Sequence, residues 1–321
     1  MYKKFFGLRA NPFNMNPDPR YLFLTRHTEE ALACLTYCIQ SRKGFVLLSG
    51  EVGTGKTTLV NKLLEWLRQQ HVATAFVFNP RLDTPQFLDY MMADFGIPPI
   101  AGGKSQILRQ LYTWLLDRHR AGETAVLIVD EAQNLSDDVL EEVRLLTNLE
   151  TFTQKLLQVV LVGQPEIEQK LRQPHLRQLR QRLTLQAKTH PLSPEETQAY
   201  VVERLRIAGA SGRTIFEPAA VEAIHRYSGG IPRVVNLICE HSLVGAFVDQ
   251  REQVSNEIVD AVARDFDLQG EARPAGPALA VSEKLDLMDA LKTLSDLADR
   301  LKLSEAEGPE SAKRGAPSTK R

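Results

Sequence analysis

Gly50-Glu51-Val52-Gly53-Thr54-Gly55-Lys56-Thr57 fits the spacing G-x-x-x-x-G-K-[ST], with Thr58 directly after it. Those residue types at that spacing suit one task, the holding of a phosphate chain. Glycines let successive backbone N–H groups turn inward and approach phosphate oxygens closely. A helix opening at Lys56 puts the positive end of its dipole at the same point. The Lys56 ammonium can span β- and γ-phosphates, and the Thr57 hydroxyl can coordinate Mg²⁺. A second pair, Asp130-Glu131, ends the apolar run of "AVLIVDEAQ". Asp130 suits the Mg²⁺ shell and Glu131 the polarising of an attacking water, the general-base role. These residues give ATP and Mg²⁺ as the cofactors.

Such groups need a scaffold, and the surrounding pattern supplies one. Gly44–Ser49, Ala73–Asn79, Thr124–Asp130, Leu156–Gly163 and Arg182–Ala187 read as five buried strands rich in Val, Leu and Ile. Helical stretches alternate with them: Lys56–Gln70, Thr84–Phe95, Lys104–Arg120, Asp137–Leu149 and Pro165–Gln181. That alternation predicts an α/β domain with a mostly parallel sheet, which binds ligands at the carboxyl ends of its strands. From residue 191 the pattern is helix only. Ser193-Pro194-Glu195-Glu196 is a helix start, with a Ser cap, a Pro in the first turn and acids at the positive dipole end. Further helices are expected at Glu217–Tyr227, Ile231–Asp249 and Asn256–Asp267. The division reads as an arm and helix over 1–43, a nucleotide-binding core over 44–190, a helical lid over 191–268, a Pro/Gly/Ala linker over 269–283, a short helix over 284–303 and a polar tail over 304–321. In the short helix Leu287, Leu291, Leu294, Ala298 and Leu301 keep heptad spacing for two heptads, which fits either a coiled coil or a lone amphipathic helix.

Bulk properties narrow the class. Of 321 residues, 43% are hydrophobic and 25% charged, with a formal net charge of −1, so neither nucleic acid nor an anionic membrane is attracted by the chain as a whole. No apolar run reaches membrane-spanning length and the N-terminus lacks signal-peptide features, giving the expectation of a cytoplasmic protein without a transmembrane segment. Cys34, Cys38 and Cys239 have no metal-ligand spacing and read as reduced structural cysteines. "DEAQ" also occurs in nucleic-acid helicases, but those carry a second strand-alternating domain for which the residues after Ala187 leave no room.

Two basic features remain. Between Gln169 and Pro194 there are six Lys/Arg and no Asp or Glu, including Arg177, Arg180 and Arg182 just before the last strand. This fits a solvated face, a nucleic-acid patch, or an arginine finger offered to a neighbour's γ-phosphate. In "YSGGIPRVVNLICEHSL", Arg233 sits at a helix start, from where a guanidinium can reach back to a phosphate.

Taken together, "FFGLRANPFNMNPDPRYLFLT", "GEVGTGKTT", "LIVDEAQNL", "LLTNLE", "LVGQPE" and "SGGIPR" make the chain resemble the AAA+ ATPases, and within them the general secretion pathway protein A family, with its origin-recognition-like AAA domain related to transposition ATPases. The resemblance covers about residues 1–268. It implies a P-loop core with a five-stranded parallel sheet, a small all-α lid, and a homo-oligomer with a finger acting in trans. Arg182 is the finger candidate, with Arg177 and Arg180 as alternatives, and Arg233 the lid sensor. Gln164 falls at the first sensor position, where the wider family more often has Asn, Ser or Thr. Asn79 is placed to restrain Glu131 until a partner binds, and the Pro-rich arm to wrap the adenine side. Secretion members of the family often carry a membrane helix and a periplasmic peptidoglycan-binding domain, neither of which is read here; the 284–303 helix is instead expected to recruit a partner or another copy of the chain. Three functions follow: an ATPase that powers assembly of a secretion or envelope-export apparatus, a DNA-dependent ATPase of the transposition type, and a nucleotide-switched regulator. DNA is thus a partner under the second reading only.

Overall fold

Runs of Val, Leu and Ile present no polar face to water and settle where both faces are covered. In the computed structural model, which describes residues 2–78, 81–99, 102–210 and 212–268, five such runs form one parallel sheet. They are β1 (Phe45–Ser49), β2 (Ala73–Val77), β3 (Ala125–Val129), β4 (Leu157–Gly163) and β5 (Leu185–Lys188), in the order β2-β3-β4-β1-β5. Alternation along the strands feeds two cores. Phe45, Leu47, Leu127, Val129, Val159 and Leu161 face α4 (Thr84–Asp94), α5 (Lys104–Arg120) and α6 (Asp137–Leu146). Val46, Leu48, Val126, Ile128, Val160 and Val162 face α2 (Arg26–Gln40) and α3 (Lys56–Gln69). The strand order reverses beside β1, so the loops leaving β1, β3 and β4 converge at the carboxyl edge.

The helical region comprises α9 (Pro194–Ile207), α10 (Pro218–Ser228), α11 (Pro232–Val248) and α12 (Asn256–Asp265). Its core also takes in Phe6, Leu8 and Phe13 of the N-terminal arm, which begins with the short helix α1 (Tyr2–Phe5). The described residues form one compact unit. Ser193 caps α9 in a full capping box with Glu196, and Asp83 does the same for α4 with Gln86, each cap being worth about 1 kcal/mol.

One expectation fails. The helix read over Pro165–Gln181 is broken into α7 (Glu166–Leu171), a 3-10 turn (Pro174–Leu176) and α8 (Arg177–Arg180). Pro174 lacks the N–H to continue a helix, and its ring forces Gln173 to an extended ψ of 145°. The basic residues before β5 are therefore distributed over separate turns instead of one helical face. Helix α6 also stops at Leu146, short of Leu149, because the chain turns into a tight loop closed by a Glu150–Lys155 bridge. Asn79, the linker (269–283), the heptad helix (284–303) and the tail (304–321) lie outside the described residues.

Candidate nucleotide site

The loop from Gly50 to Thr57 joins β1 to α3, as its glycines require. Gly53 and Gly55 have φ of +80° and +95°, and Gly55 caps α3 in the left-handed region, where a side chain is disfavoured. Gly50 N–H bonds the Gly163 carbonyl (3.2 Å), fixing the loop's entry to β4. The buried Thr54 hydroxyl bonds the Glu51 carbonyl (2.7 Å) and the Thr189 hydroxyl (2.6 Å), fixing it to the end of β5. Val52, Thr57 and Thr58 line the open side. Lys56 is buried, and its Nζ donates to the carbonyls of Gly50 (2.7 Å) and Glu51 (2.9 Å). Burial pushes its pKa down, while Glu131, Asp130, Glu51 and Glu166 pull against that shift.

Asp130 follows β3 directly. Its N–H continues the sheet by bonding the Val77 carbonyl (2.9 Å), and its carboxylate accepts the Glu131 N–H (2.9 Å). Burial pushes the Asp130 carboxyl up; the bond from the Glu131 N–H, the charge of Lys56 and the Thr57 hydroxyl oppose it. Glu131 takes the left-handed conformation with φ of 52°, which costs a residue with a Cβ about 1–2 kcal/mol. Its Oε2 accepts from Gln133 Nε2 (2.5 Å) and from Gln164 Nε2 (3.3 Å).

Part of this set lines one cavity of about 330 Å³, shared by the core, the arm and the helical region, with Asp130 lying behind its wall beside Glu131 and Thr57. Lys56, Thr57, Glu131 and Gln164 come from the core; Asn14–Asp18 and Tyr21 from the arm; Tyr200, Arg204, Arg233 and Asn236 from α9 and α11. Arg233 N–H bonds the Gly53 carbonyl (3.2 Å), which ties the start of α11 to the phosphate loop. A Cβ on Gly53 would lie 2.8 Å from the Arg233 Cβ, so glycine permits both the turn and the contact. The Arg233 side chain itself is exposed. Arg204 is buried and carries more of the wall: it donates to the Pro12 carbonyl (2.6 Å) and the Tyr200 hydroxyl (2.6 Å), with Tyr21 and Tyr200 rings 4.6 and 5.3 Å from its guanidinium carbon.

The donor set fits a triphosphate with a hard cation. Backbone N–H groups, a helix start and a buried ammonium suit phosphate. The neighbouring Thr57 hydroxyl and Asp130 carboxylate offer oxygen ligands, and Mg²⁺ is usually held by one or two such protein groups together with phosphate oxygens.

Arg177, Arg180 and Arg182 do not line this cavity. Arg177 and Arg180 are exposed, and Arg182 is half-buried; the Glu150 carboxylate is held below its usual range chiefly by Lys155, with a smaller pull from the charge of Arg182. Three of the six Lys/Arg of the run pair with acids, Glu168 just before it and Asp137 from α6. Lys188 pairs with Glu168 (2.9 Å), Lys170 and His175 with Asp137 (3.6 and 2.9 Å), and Arg172 reaches Glu168 at 4.0 Å. Burial pushes the Cys34 thiol up to about 11 and Cys38 to about 12, far from the thiolate range of reactive cysteines.

Two residues at the site escaped sequence reasoning. Arg204 lies in an amphipathic stretch where an arginine reads as solvated, and no local signal marks it as buried. Gln133 lies inside the "DEAQ" motif, yet nothing in the string says that its amide turns back to Glu131.

Residues 39–171 match the model of a family described as AAA domain. General secretion pathway protein A of Aeromonas hydrophila is 48% identical over 248 residues, 77% of this chain and 45% of that protein, so the chain spans less than half of its relative's length. Among solved structures, Cdc6p from Pyrobaculum aerophilum superposes with a TM-score of 0.63 at 18% identity, covering 80% of this chain and 71% of that one. Drosophila ORC, solved bound to DNA, gives 0.57 at 23% identity over 75% of this chain and 60% of its own. These structural neighbours speak for the fold alone. The parallel sheet, the phosphate loop and the close sequence relative agree: the chain belongs to the AAA+ ATPases, in the general secretion pathway protein A family.

Proposed function

We propose that residues 50–58 hold ATP, that Thr57 and Asp130 ligate its Mg²⁺, and that Glu131 takes the proton of the attacking water. The observation that carries this reading is the meeting of Lys56, Glu131 and Gln164, from three separate loops, in one cavity at the carboxyl edge of the sheet. Lys56 exchanges its bonds to the Gly50 and Glu51 carbonyls for phosphate oxygens, which restores a full counter-charge to a buried ammonium. Bound Mg²⁺ supplies neutralisation of charge developing on the β- and γ-phosphate oxygens. Glu131 accepts the water's proton at a carboxylate oxygen, with Gln164 holding its side chain from β4. The arm, fixed to α9 through Arg204, walls the nucleoside side, and Arg233 follows the lid toward the phosphates.

The finer reading is a cytoplasmic homo-oligomer, peripheral at the inner membrane through a partner, that powers assembly of a secretion or envelope-export apparatus. Its support is the relative named for general secretion and the position of the arginines. None of Arg177, Arg180 and Arg182 borders its own chain's cavity, which suits a finger serving a neighbour, with Arg182 first. Residues 284–303, which lie outside the described residues and read as a helix from sequence alone, are proposed as the contact for a protein partner or another copy. The DNA-dependent reading would draw on the basic run before β5, but the pairing of Lys170, Arg172 and Lys188 with carboxylates reduces the free charge there.

ATPase rate against protein concentration, with and without duplex DNA at two salt levels, tests these readings. A steep rise with concentration that DNA leaves unchanged supports the self-assembling ATPase. Stimulation by DNA that salt removes would replace it with the transposition-type reading. Slow turnover indifferent to both would leave the nucleotide-switched regulator.

A further inference from the structure

Glu131 does not reach into the cavity unaided: its oxygen Oε2 is held by the amide of Gln133 from two residues downstream. That amide is itself fixed. Gln133 Oε1 accepts the backbone N–H of Gln164 (3.1 Å), the residue that follows β4. One side chain thus joins the exit of β3 to the exit of β4, using its acceptor on one strand's loop and its donor on the other's carboxylate. The room for this bridge is made by Gly163. A Cβ built there would lie 2.9 Å from Gln133 Oε1 and 3.2 Å from Ile167 Cγ2. Gly163 is not in a left-handed conformation, so its lack of a side chain is explained by the close approach and not by the backbone.

The bridge also accounts for the conformation of Glu131. A left-handed residue with a Cβ persists only where its surroundings over-determine it. The turn Ala132–Asn134 follows at once, Asn134 N–H bonds the Glu131 carbonyl (2.9 Å), and the Gln133 amide fixes the other end of the same residue. Both side-chain bonds fall on Oε2, and Oε1 receives neither. The carboxylate is therefore oriented with one oxygen anchored and one available.

We propose that Gln133 is a positioning residue for hydrolysis: it registers the Glu131 carboxylate against the Gln164 backbone, through space that Gly163 leaves open, and does not itself contribute to nucleotide affinity. The proposal rests on Glu131 acting as the base. Lys56 and Thr57 come from a different loop, so the role predicts a split between turnover and binding.

The experiment compares wild type with Gln133→Ala, the shape-retaining Gln133→Met, Gly163→Ala, the double variant Gln133→Ala/Gly163→Ala, and Glu131→Gln, reading kcat and KM for ATP hydrolysis and the affinity for a fluorescent ATP analogue. Gln133→Ala and Gln133→Met are expected to lower kcat roughly tenfold or more, the scale of a misplaced catalytic group, with affinity unchanged within about twofold. Gly163→Ala is expected to lower kcat in the same direction while leaving Gln133 and Glu131 chemically intact. The double variant is expected to fall nearer Gln133→Ala than the product of the two single losses, because removing the amide removes the nearest atom the methyl would meet and leaves only the Ile167 Cγ2 contact at 3.2 Å. A kcat within about twofold of wild type for both Gln133 variants overturns the proposal, as does a loss of affinity equal to the loss of turnover, or full additivity in the double variant. If Glu131→Gln hydrolyses at the wild-type rate, the base assignment falls and takes this proposal with it. If Glu131→Gln is inactive while the Gln133 variants turn over normally, the proposal falls alone.

Discussion

The two edges of the sheet differ in how their charges are satisfied. At the carboxyl edge, Lys56 is bonded to two carbonyls, Glu131 to two amides, and Lys188 to Glu168. Near the amino edge, where Thr184 bonds the backbone at Lys43 and Phe45, the side chains of Arg177 and Arg180 make no hydrogen bond or ion pair with another described residue. Arg182 meets only the charge of Glu150 among the described residues. A polar group held on several sides is positioned for chemistry before any ligand arrives. A solvated guanidinium keeps its donors free for a later partner. The contrast teaches that one edge is organised within a single chain, while the other has its donors still to spend.

The comparison can be broken at its strongest point first. Lys56→Ala removes the buried ammonium and is expected to abolish tight ATP binding, read by titration with a fluorescent analogue; retained affinity would show that the carboxyl edge is not the nucleotide site. Next, Arg182→Ala should bind nucleotide like wild type yet lose about 10³-fold of the hydrolysis that appears on assembly. Mixing it with Lys56→Ala should restore activity, since each supplies what the other lacks; no restoration would argue against action in trans, and the same assay on Arg177→Ala and Arg180→Ala ranks the three. Glu131→Gln should still bind ATP but slow its hydrolysis by about 10²-fold or more, leaving trapped ATP that can be counted after rapid filtration.

Smaller effects sharpen the picture of what holds the carboxyl edge together. Arg204→Ala strands the Pro12 carbonyl and removes the packing between Tyr21 and Tyr200, so thermal unfolding should report a loss of about 2–3 kcal/mol. An unchanged melting temperature would mean that the arm is held by its apolar contacts and its bonds to Glu240 and Ala208 without help from Arg204. Glu168 is the mildest case. Burial pushes its carboxyl up, but bonds from Lys188, Ser49 and Gln186 outweigh that and hold it below the usual range. A depressed carboxylate contributes stability that is present above its unfolded pKa of about 4.3 and is lost as pH falls through the lower folded value. Glu168→Gln should therefore lower stability at pH 7, and the gap to wild type should close as pH falls below about 4.5, flattening the acid side of the curve.

Much of the fold was legible because its signals are local. Every strand start lay within three residues of its reading, and Ser193 capped the helix it was expected to cap. The phosphate loop was legible because its glycines and Lys56 answer a steric and electrostatic demand within one short segment. The failures were of two kinds. The helix read over 165–181 gave way at Pro174, whose ring and missing N–H end a helix locally. In the basic run between Gln169 and Pro194, Lys170 and His175 meet Asp137, an acid from α6 that lies far outside that segment, while Lys188 meets Glu168 across the fold.

The sequence by itself determined the strands, the caps, the phosphate loop and the acidic pair, since each depends on neighbours along the chain. Only the tertiary structure decided that Gln133 would lie between Glu131 and Gln164, that Gly163 would make room for it, and that Arg204 would anchor the arm from α9. Those contacts depend on β3 and β4 lying side by side and on the arm folding back over α9. Strand order and chain return are set by the burial of whole faces, a sum over the entire core, and no short stretch of sequence carries that sum.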